Sequence, residues 1–226
     1  MMAGKSPHDR WRWVILAGCE TVNSSDGDEN AILSGRACGA CTLCCKLLAI
    51  EQLSKPRGEW CRHCEVGVGC RVYDDRPSEC RDFNCGYLAW SRTGDHWFPA
   101  RSKMVIVLDN DGNRLAIHVD PARPNAWRMH PFYDDIKEWA RLASSETTQV
   151  VVCVGNRTIV ILPDEDVDLG FVADDERVVT GQMMENGRLR MFAIKMHVDD
   201  PRLEGRRHAG PVGTSRPNPR QLNPLF

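Results

Sequence analysis

The sequence has no long apolar run and almost no excess of charge of either sign. No stretch approaches the roughly 18–20 apolar residues of a membrane-spanning helix, so we expect no membrane-embedded part. The 29 Lys and Arg residues nearly balance the 31 Asp and Glu residues, for a formal net charge of -2. This balance gives no reason to expect nucleic acid as a partner.

A secretory signal is also missing. The four residues Leu16–Cys19 resemble a bacterial lipoprotein cleavage box, but the apolar run before it, Trp13–Leu16, is short. A signal peptide needs roughly 7–15 apolar residues at that place. Because cysteines outside an oxidising compartment stay reduced, we expect a cytoplasmic protein whose thiols can bind metal.

The common catalytic motifs are absent. The chain has no G-x-x-x-x-G-K-[ST], no G-x-G-x-x-G after a strand, no H-E-x-x-H and no G-x-S-x-G. Nothing places a catalytic cysteine beside an identifiable base, and His63, inside the second C-x-x-C, fits a loop residue as well as a ligand. The sequence leaves enzymatic activity open and favours a non-enzymatic, metal-binding role.

Cysteine is what the chain has in excess. Nine of its eleven cysteines fall within one short segment that contains C-x-x-C-x-x-C-C and a second C-x-x-C. Because a tight turn points the thiols of residues i and i+3 to the same side, such blocks are typical of metal sites. We predict an irregular, cysteine-rich metal-binding module over residues 37–97. The predicted ligands are Cys38, Cys41, Cys44, Cys45, Cys61, Cys64, Cys70, Cys80 and Cys85.

Two kinds of metal site fit this spacing. Cys41, Cys44, Cys61 and Cys64 have the spacing of a four-thiolate zinc ribbon, which leaves five cysteines unexplained. The first three cysteines match the start of a bacterial ferredoxin run, but Cys45 then follows Cys44 directly. Adjacent cysteines face two centres more naturally than one, or leave one thiol unused. Zinc and iron, the latter alone or in an iron–sulfur cluster, both remain open as the cofactor.

The negative charge of such a site needs positive neighbours. Four thiolates around a divalent ion carry about -2 net. Basic residues between the cysteines are expected to compensate through charge-assisted hydrogen bonds to sulfur. They are Lys46, Lys55, Arg57, Arg62, Arg71, Arg76 and Arg81.

The cysteine segments also resemble a known family. The segments Cys38–Cys45, Gly58–Cys61, Gly69–Tyr73 and Arg76–Cys85 resemble the bacterial cysteine-cluster family described as zinc- or iron-chelating proteins. The resemblance implies a metal site and names no reaction. Flagellin lysine methylases are larger proteins with a similar segment, but nothing else in this chain matches a methyltransferase. We expect a structural or redox-sensing metal; the alternative is an iron–sulfur-dependent enzyme or an electron-transfer component.

Residues 101–200 have a different pattern, which predicts a small antiparallel-sheet domain with one main helix, and so an α+β fold overall. The helix should begin at Pro131, because proline is tolerated at the first helical position. The acidic group at residues 164–168 is predicted to be a solvated loop. The predicted strands are Met104–Leu108, Leu115–Val119, Val150–Val154, Thr158–Leu162, Val178–Met184 and Leu189–Met196.

The remaining segments are predicted to lie outside the metal site. Residues 1–36 form an irregular N-terminal segment, and residues 201–226 a disordered, basic, proline-rich tail. Cys19 has no partner at ligand spacing. Cys153 lies in an apolar strand, where a cysteine behaves as a small buried hydrophobic residue.

Overall fold

The computed structural model describes residues 32–109, 113–144 and 148–203. It is a mixture of helices and sheets, which confirms the predicted α+β class. The helices are α1 (Leu43–Leu47), α2 (Ser78–Arg81), α3 (Gly86–Ala89), α4 (Pro99–Ser102) and α5 (Phe132–Ala143). The strands are β1 (Cys64–Glu65), β2 (Gly69–Cys70), β3 (Met104–Asp109), β4 (Arg114–Val119), β5 (Gln149–Val154), β6 (Arg157–Ile161), β7 (Asp166–Phe171), β8 (Glu176–Glu185) and β9 (Arg188–His197). Short 3-10 turns cover Glu51–Leu53, Asp95–Trp97, Ala126–Arg128 and Pro201–Leu203.

The main sheet has five strands in the order β3-β4-β5-β6-β7. Three of its four pairings are antiparallel, as predicted, but β4 and β5 run parallel. The chain between them contains α5, and a helical crossover brings the next strand back in the same direction. Strands β8 and β9 form a separate antiparallel hairpin at the predicted place.

The acidic segment at residues 164–168 is not a solvated loop throughout. Strand β7 begins at Asp166 and pairs with β6 along its length. The Asp166 carboxylate accepts a hydrogen bond from Tyr133 Oη at 3.1 Å and lies 3.5 Å from Lys137 Nζ. The prediction was wrong here because α5 supplies polar partners that local sequence does not reveal.

One face of the main sheet packs against α5. The buried side of this helix consists of Ile136, Trp139, Ala140 and Ala143. The cysteine-rich segment contributes Trp90 and Trp97 to the same cluster. Their ring centroids lie 4.7 Å and 5.0 Å from that of Trp139.

The opposite face of β3 is covered by α1 and α3. Leu47 and Leu88 pack there against Val105 and Val107. Gly86 of α3 lies against the Ile106 side chain of β3, because an added Cβ would lie 2.7 Å from Ile106 Cγ2. The cysteine-rich segment therefore shares its core with the sheet, and α3 sits at a fixed distance from β3.

The described chain continues past the predicted boundary at residue 201. Leu203 is buried and packs against Val179 and Met196 of the β8–β9 hairpin. Residues 1–31, with Cys19, and residues 204–226 lie outside the described part of the chain. Within the described residues, no helix is long and apolar enough to cross a membrane.

Candidate metal centre

All nine predicted ligands line a single cavity. Its volume is about 510 Å³, and its wall includes Cys38, Cys41, Cys44, Cys45, Cys61, Cys64, Cys70, Cys80 and Cys85. These cysteines form no disulfide bond within the described part of the chain. The structure therefore brings together cysteines that the sequence distributes over loops, the helices α1 and α2, and the strands β1 and β2.

The first cysteine block reaches the cavity through a turn that leads into α1. The Cys41 N–H donates to the Cys38 carbonyl at 2.9 Å, which closes the turn. Cys44 follows on α1, and Cys85 stands at the N-cap of α3. Cys41, Cys44 and Cys85 belong to the hydrophobic cluster beneath β3, so the sheet positions these thiols.

The second block is attached to the end of the first. The Cys61 N–H donates to the Cys45 carbonyl at 3.0 Å, and the Cys64 N–H donates to the Cys61 carbonyl at 2.9 Å. The β1–β2 ladder places Cys70 directly opposite Cys64. Buried Thr42 holds the two blocks together, since its Oγ1 accepts the Gly67 N–H at 3.2 Å and its side chain bonds the Cys64 thiol.

Cys80 reaches the wall on α2, which is anchored from its outer side. The Glu79 carboxylate accepts the backbone N–H groups of Glu51 and Gln52, each at 3.0 Å. This contact joins α2 to the 3-10 turn that follows α1.

The thiols nearest β3 have raised pKa values, and neighbouring groups desolvate the Cys38 thiol although the residue as a whole is exposed. Burial raises the pKa of Cys85 to about 12 and that of Cys38 to about 11, and nearby thiols raise both further. For Cys38, the Arg76 guanidinium opposes the shift. Burial also raises the pKa of Cys41, but less, because backbone N–H groups and Lys103 favour its thiolate. These thiols are protonated at neutral pH unless a cation replaces the protons.

On the side of the cavity away from β3, the thiols of Cys45 and Cys64 affect each other's ionisation. The pKa of Cys45 is raised, first by its hydrogen bond with Cys44 and then by burial, with the nearby Cys64 adding to the shift. Burial also raises the pKa of Cys64, with smaller contributions from Cys61 and Cys44. Crowded, buried thiols of this kind resist ionisation individually, whereas a bound cation stabilises several thiolates at once.

Most of the basic residues expected to neutralise the site bond elsewhere. Lys46 pairs with Asp120 at 2.7 Å, and Lys55 donates to the Lys46 carbonyl at 3.0 Å. Arg62 donates to the Leu53 carbonyl, and Arg71 pairs with Glu65. The charge of Arg76 lowers the pKa of Cys38, against the larger effect of burial, and its guanidinium lies 3.9 Å from the centroid of the Tyr73 ring. Arg81 also lines the cavity.

Sequence reasoning missed several groups around the thiols. The backbone N–H groups of Leu43 and Ala100 bond the Cys41 thiol, and that of Leu88 bonds the Cys85 thiol. Lys103 adds a positive charge near Cys41. Backbone donors have no sequence signature, and Lys103 lies outside the cysteine segment, at the end of α4.

The residues present fit a thiophilic metal by their chemistry. Thiols suit zinc, iron and iron–sulfur clusters, whereas harder ions prefer oxygen ligands. Among the described residues, no three His, Cys, Asp or Glu side chains are already arranged as a group that could hold a metal ion. The sulfur atoms are spread around the cavity wall and do not converge on one position. A change of χ1 rotamer can turn a cysteine sulfur towards a metal without moving the backbone.

Comparison of the chain with family models, with curated proteins and with solved structures finds no match. A functional argument for this α+β protein therefore depends on the chemistry of its cysteine-lined cavity.

Proposed function

We propose that this chain is a cytoplasmic metal-binding protein whose nine-cysteine cavity holds zinc or iron, the latter alone or in an iron–sulfur cluster. The metal has a structural or redox-sensing role rather than a catalytic one. The observation that supports this is the convergence of all nine cysteines on one cavity. The resemblance of the cysteine segments to the zinc- or iron-chelating family points the same way.

The energetics of the cavity support metal binding over a purely structural role for the thiols. Cysteine packs well in a core, but the Cys45 thiol is also hydrogen-bonded to the thiols of Cys44 and Cys64. The segment around them has only short helices and a two-residue strand pair. Small modules with so little regular structure are commonly stabilised by a metal.

The surrounding groups have defined roles in such a site. The thiols of the cavity hold the metal, and the N–H groups of Leu43, Ala100 and Leu88 orient the sulfurs and spread their negative charge. Arg76 and Lys103 offset part of the remaining charge on the β3 side. When bound, zinc supplies a redox-inert crosslink, and iron adds the capacity to accept an electron.

The decisive experiment is elemental analysis with a visible spectrum on protein purified without air. Zinc gives a colourless protein, and an iron–sulfur cluster gives a brown one. Cys44→Ala should lose metal, whereas the matched control Cys153→Ala should keep the content of the unmodified protein. Protein that carries no stoichiometric zinc or iron, and binds neither after reduction and reconstitution, would refute the proposal. Brown protein assigns the metal as an iron–sulfur cluster; catalysis, or repeated electron transfer to an added acceptor, would support the alternative, an iron–sulfur-dependent enzyme or electron-transfer component.

A further inference from the structure

We infer that the cavity holds two separate metal centres, each bound by four thiolates. The first, the Cys38 group, consists of Cys38, Cys41, Cys44 and Cys85. The second, the Cys64 group, consists of Cys45, Cys61, Cys64 and Cys70. This division rests on the proposed metal-binding function and assigns the thiols to their centres.

The Cys38 group is defined by contacts beneath β3. The Cys38–Cys41 turn is closed by a 2.9 Å backbone hydrogen bond, so these two thiols start from one short loop. Cys41 and Cys44 pack in the same hydrophobic cluster as buried Cys85. In addition to burial, the pKa of Cys85 is raised by Cys38, Cys44 and Cys41, whereas Cys44 also raises the pKa of Cys64, so Cys44 lies where the two groups meet.

The Cys64 group is defined by backbone pairing. Cys45 accepts the Cys61 N–H, Cys61 accepts the Cys64 N–H, and Cys64 pairs with Cys70 across the β1–β2 ladder. These three links tie the four residues in series over short distances. Cys61 is buried, while the other three are half-buried, so their thiols line the wall instead of facing bulk solvent.

Helix geometry separates the adjacent Cys44 and Cys45. Both lie on α1, and consecutive residues of an α-helix project roughly 100° apart. Cys44 packs towards β3 with the first group, while the Cys45 carbonyl binds the second block. Their thiols remain hydrogen-bonded to each other, so the two centres would be neighbours.

The number of thiols agrees with this division. Four thiolates complete a tetrahedral zinc site, and also complete a [2Fe–2S] or [4Fe–4S] cluster. Eight cysteines fill two such sites, and Cys80 is the ninth. It lines the cavity on α2, and we assign it to neither centre.

The division can be tested with Co²⁺ and the reduced, metal-free full-length chain. Thiolate-to-cobalt charge-transfer absorbance reports the number of Co–S bonds, and the titration end point reports the number of sites. The unmodified protein should bind two equivalents. The test substitutions are Cys38→Ala and Cys70→Ala, because neither residue is buried. Each variant should lose the charge-transfer absorbance of one centre, or bind Co²⁺ tightly at only one centre.

Double variants distinguish two centres from one. Cys38→Ala combined with Cys41→Ala, both in the Cys38 group, should still leave one intact centre. Cys38→Ala combined with Cys70→Ala should leave none. Cys153→Ala, at a buried cysteine that does not line the cavity, is the control and should keep both.

Each outcome has a defined meaning. One equivalent in the unmodified protein, a complete loss of tight binding in either single variant, or loss of a centre in Cys153→Ala would overturn the two-centre division and leave the proposed function standing. Binding of no Co²⁺, Zn²⁺ or iron at all would instead refute the proposed function itself. Circular dichroism of each metal-free variant checks that the main sheet is folded.

Discussion

Buried His118 should make the folded protein sensitive to mild acid. It lies on β4 between Val105 of β3 and Cys153 of β5, and only 3% of it is exposed. Its Nδ1 is buried with no hydrogen-bond partner among the described residues. Burial, followed by the positive charges of Arg57 and Arg114, lowers its pKa from 6.5 to about 3.

The size and sign of the effect follow from this shift. Between about pH 3 and pH 6.5 the unfolded chain binds a proton at this histidine and the folded chain does not, so stability falls as the pH falls. The slope approaches about 1.4 kcal/mol per pH unit, or about 2 kcal/mol at pH 5 relative to pH 8. For a chain of this size, that corresponds to a decrease of about 4–8 °C in the melting temperature.

The assay is thermal unfolding between pH 8 and pH 5, followed by circular dichroism. His118→Leu removes the titrating group and the unpartnered nitrogen, so its melting temperature should fall less with acid than that of the unmodified protein. Metal loss at low pH affects both proteins and cancels in the difference. His130→Gln, at a side chain that is 84% exposed, is the control and should keep the full slope. The reasoning fails if His118→Leu shows the same pH dependence as the unmodified protein.

Four further outcomes test the fold and the site. Gly86→Ala should destabilise the protein by about 1–3 kcal/mol, because its Cβ would lie 2.7 Å from Ile106 Cγ2. The double variant Gly86→Ala/Ile106→Ala should be destabilised by less than the sum of the two single variants, because the shorter side chain makes room for the added Cβ. Equality with that sum in denaturant melts would contradict the close contact. Removing metal with a strong chelator should reduce amide protection, measured by hydrogen exchange, in residues 37–97 more than in the main sheet. Equal protection of residues 37–97 with and without metal would show that the thiols do not organise this segment. Cys153→Ala should lower stability by about 1 kcal/mol through a small cavity and leave the metal content unchanged, so loss of a metal equivalent by elemental analysis would contradict its structural role. Truncation after Leu203 should leave the melting temperature unchanged, whereas Leu203→Ala should lower it, and the opposite order would mean that the tail carries the stability.

Local patterns were enough to predict most of the regular structure. The two hairpins beyond α5, and α5 itself, appear where periodicity and turn residues place them. Burial of Cys153 is also confirmed, since residues 150–154 of its strand are all apolar. Strand β7 was missed because its acidic residues depend on partners from α5.

Cysteine spacing, by itself, determined which nine residues form the candidate site, because closely spaced thiols in a segment with little core have few other uses. The tertiary structure decided how those thiols are grouped. Cys85 lies far along the chain from Cys41, and only the packing of α1 and α3 against β3 brings them into one cluster. Likewise, Lys103 approaches Cys41 because α4 returns the chain to the cavity. The spacing of cysteines in the sequence shows which thiols lie in the same loop. Contacts between different loops depend on how the cysteine-rich segment packs against the main sheet, and no local sequence pattern encodes that packing.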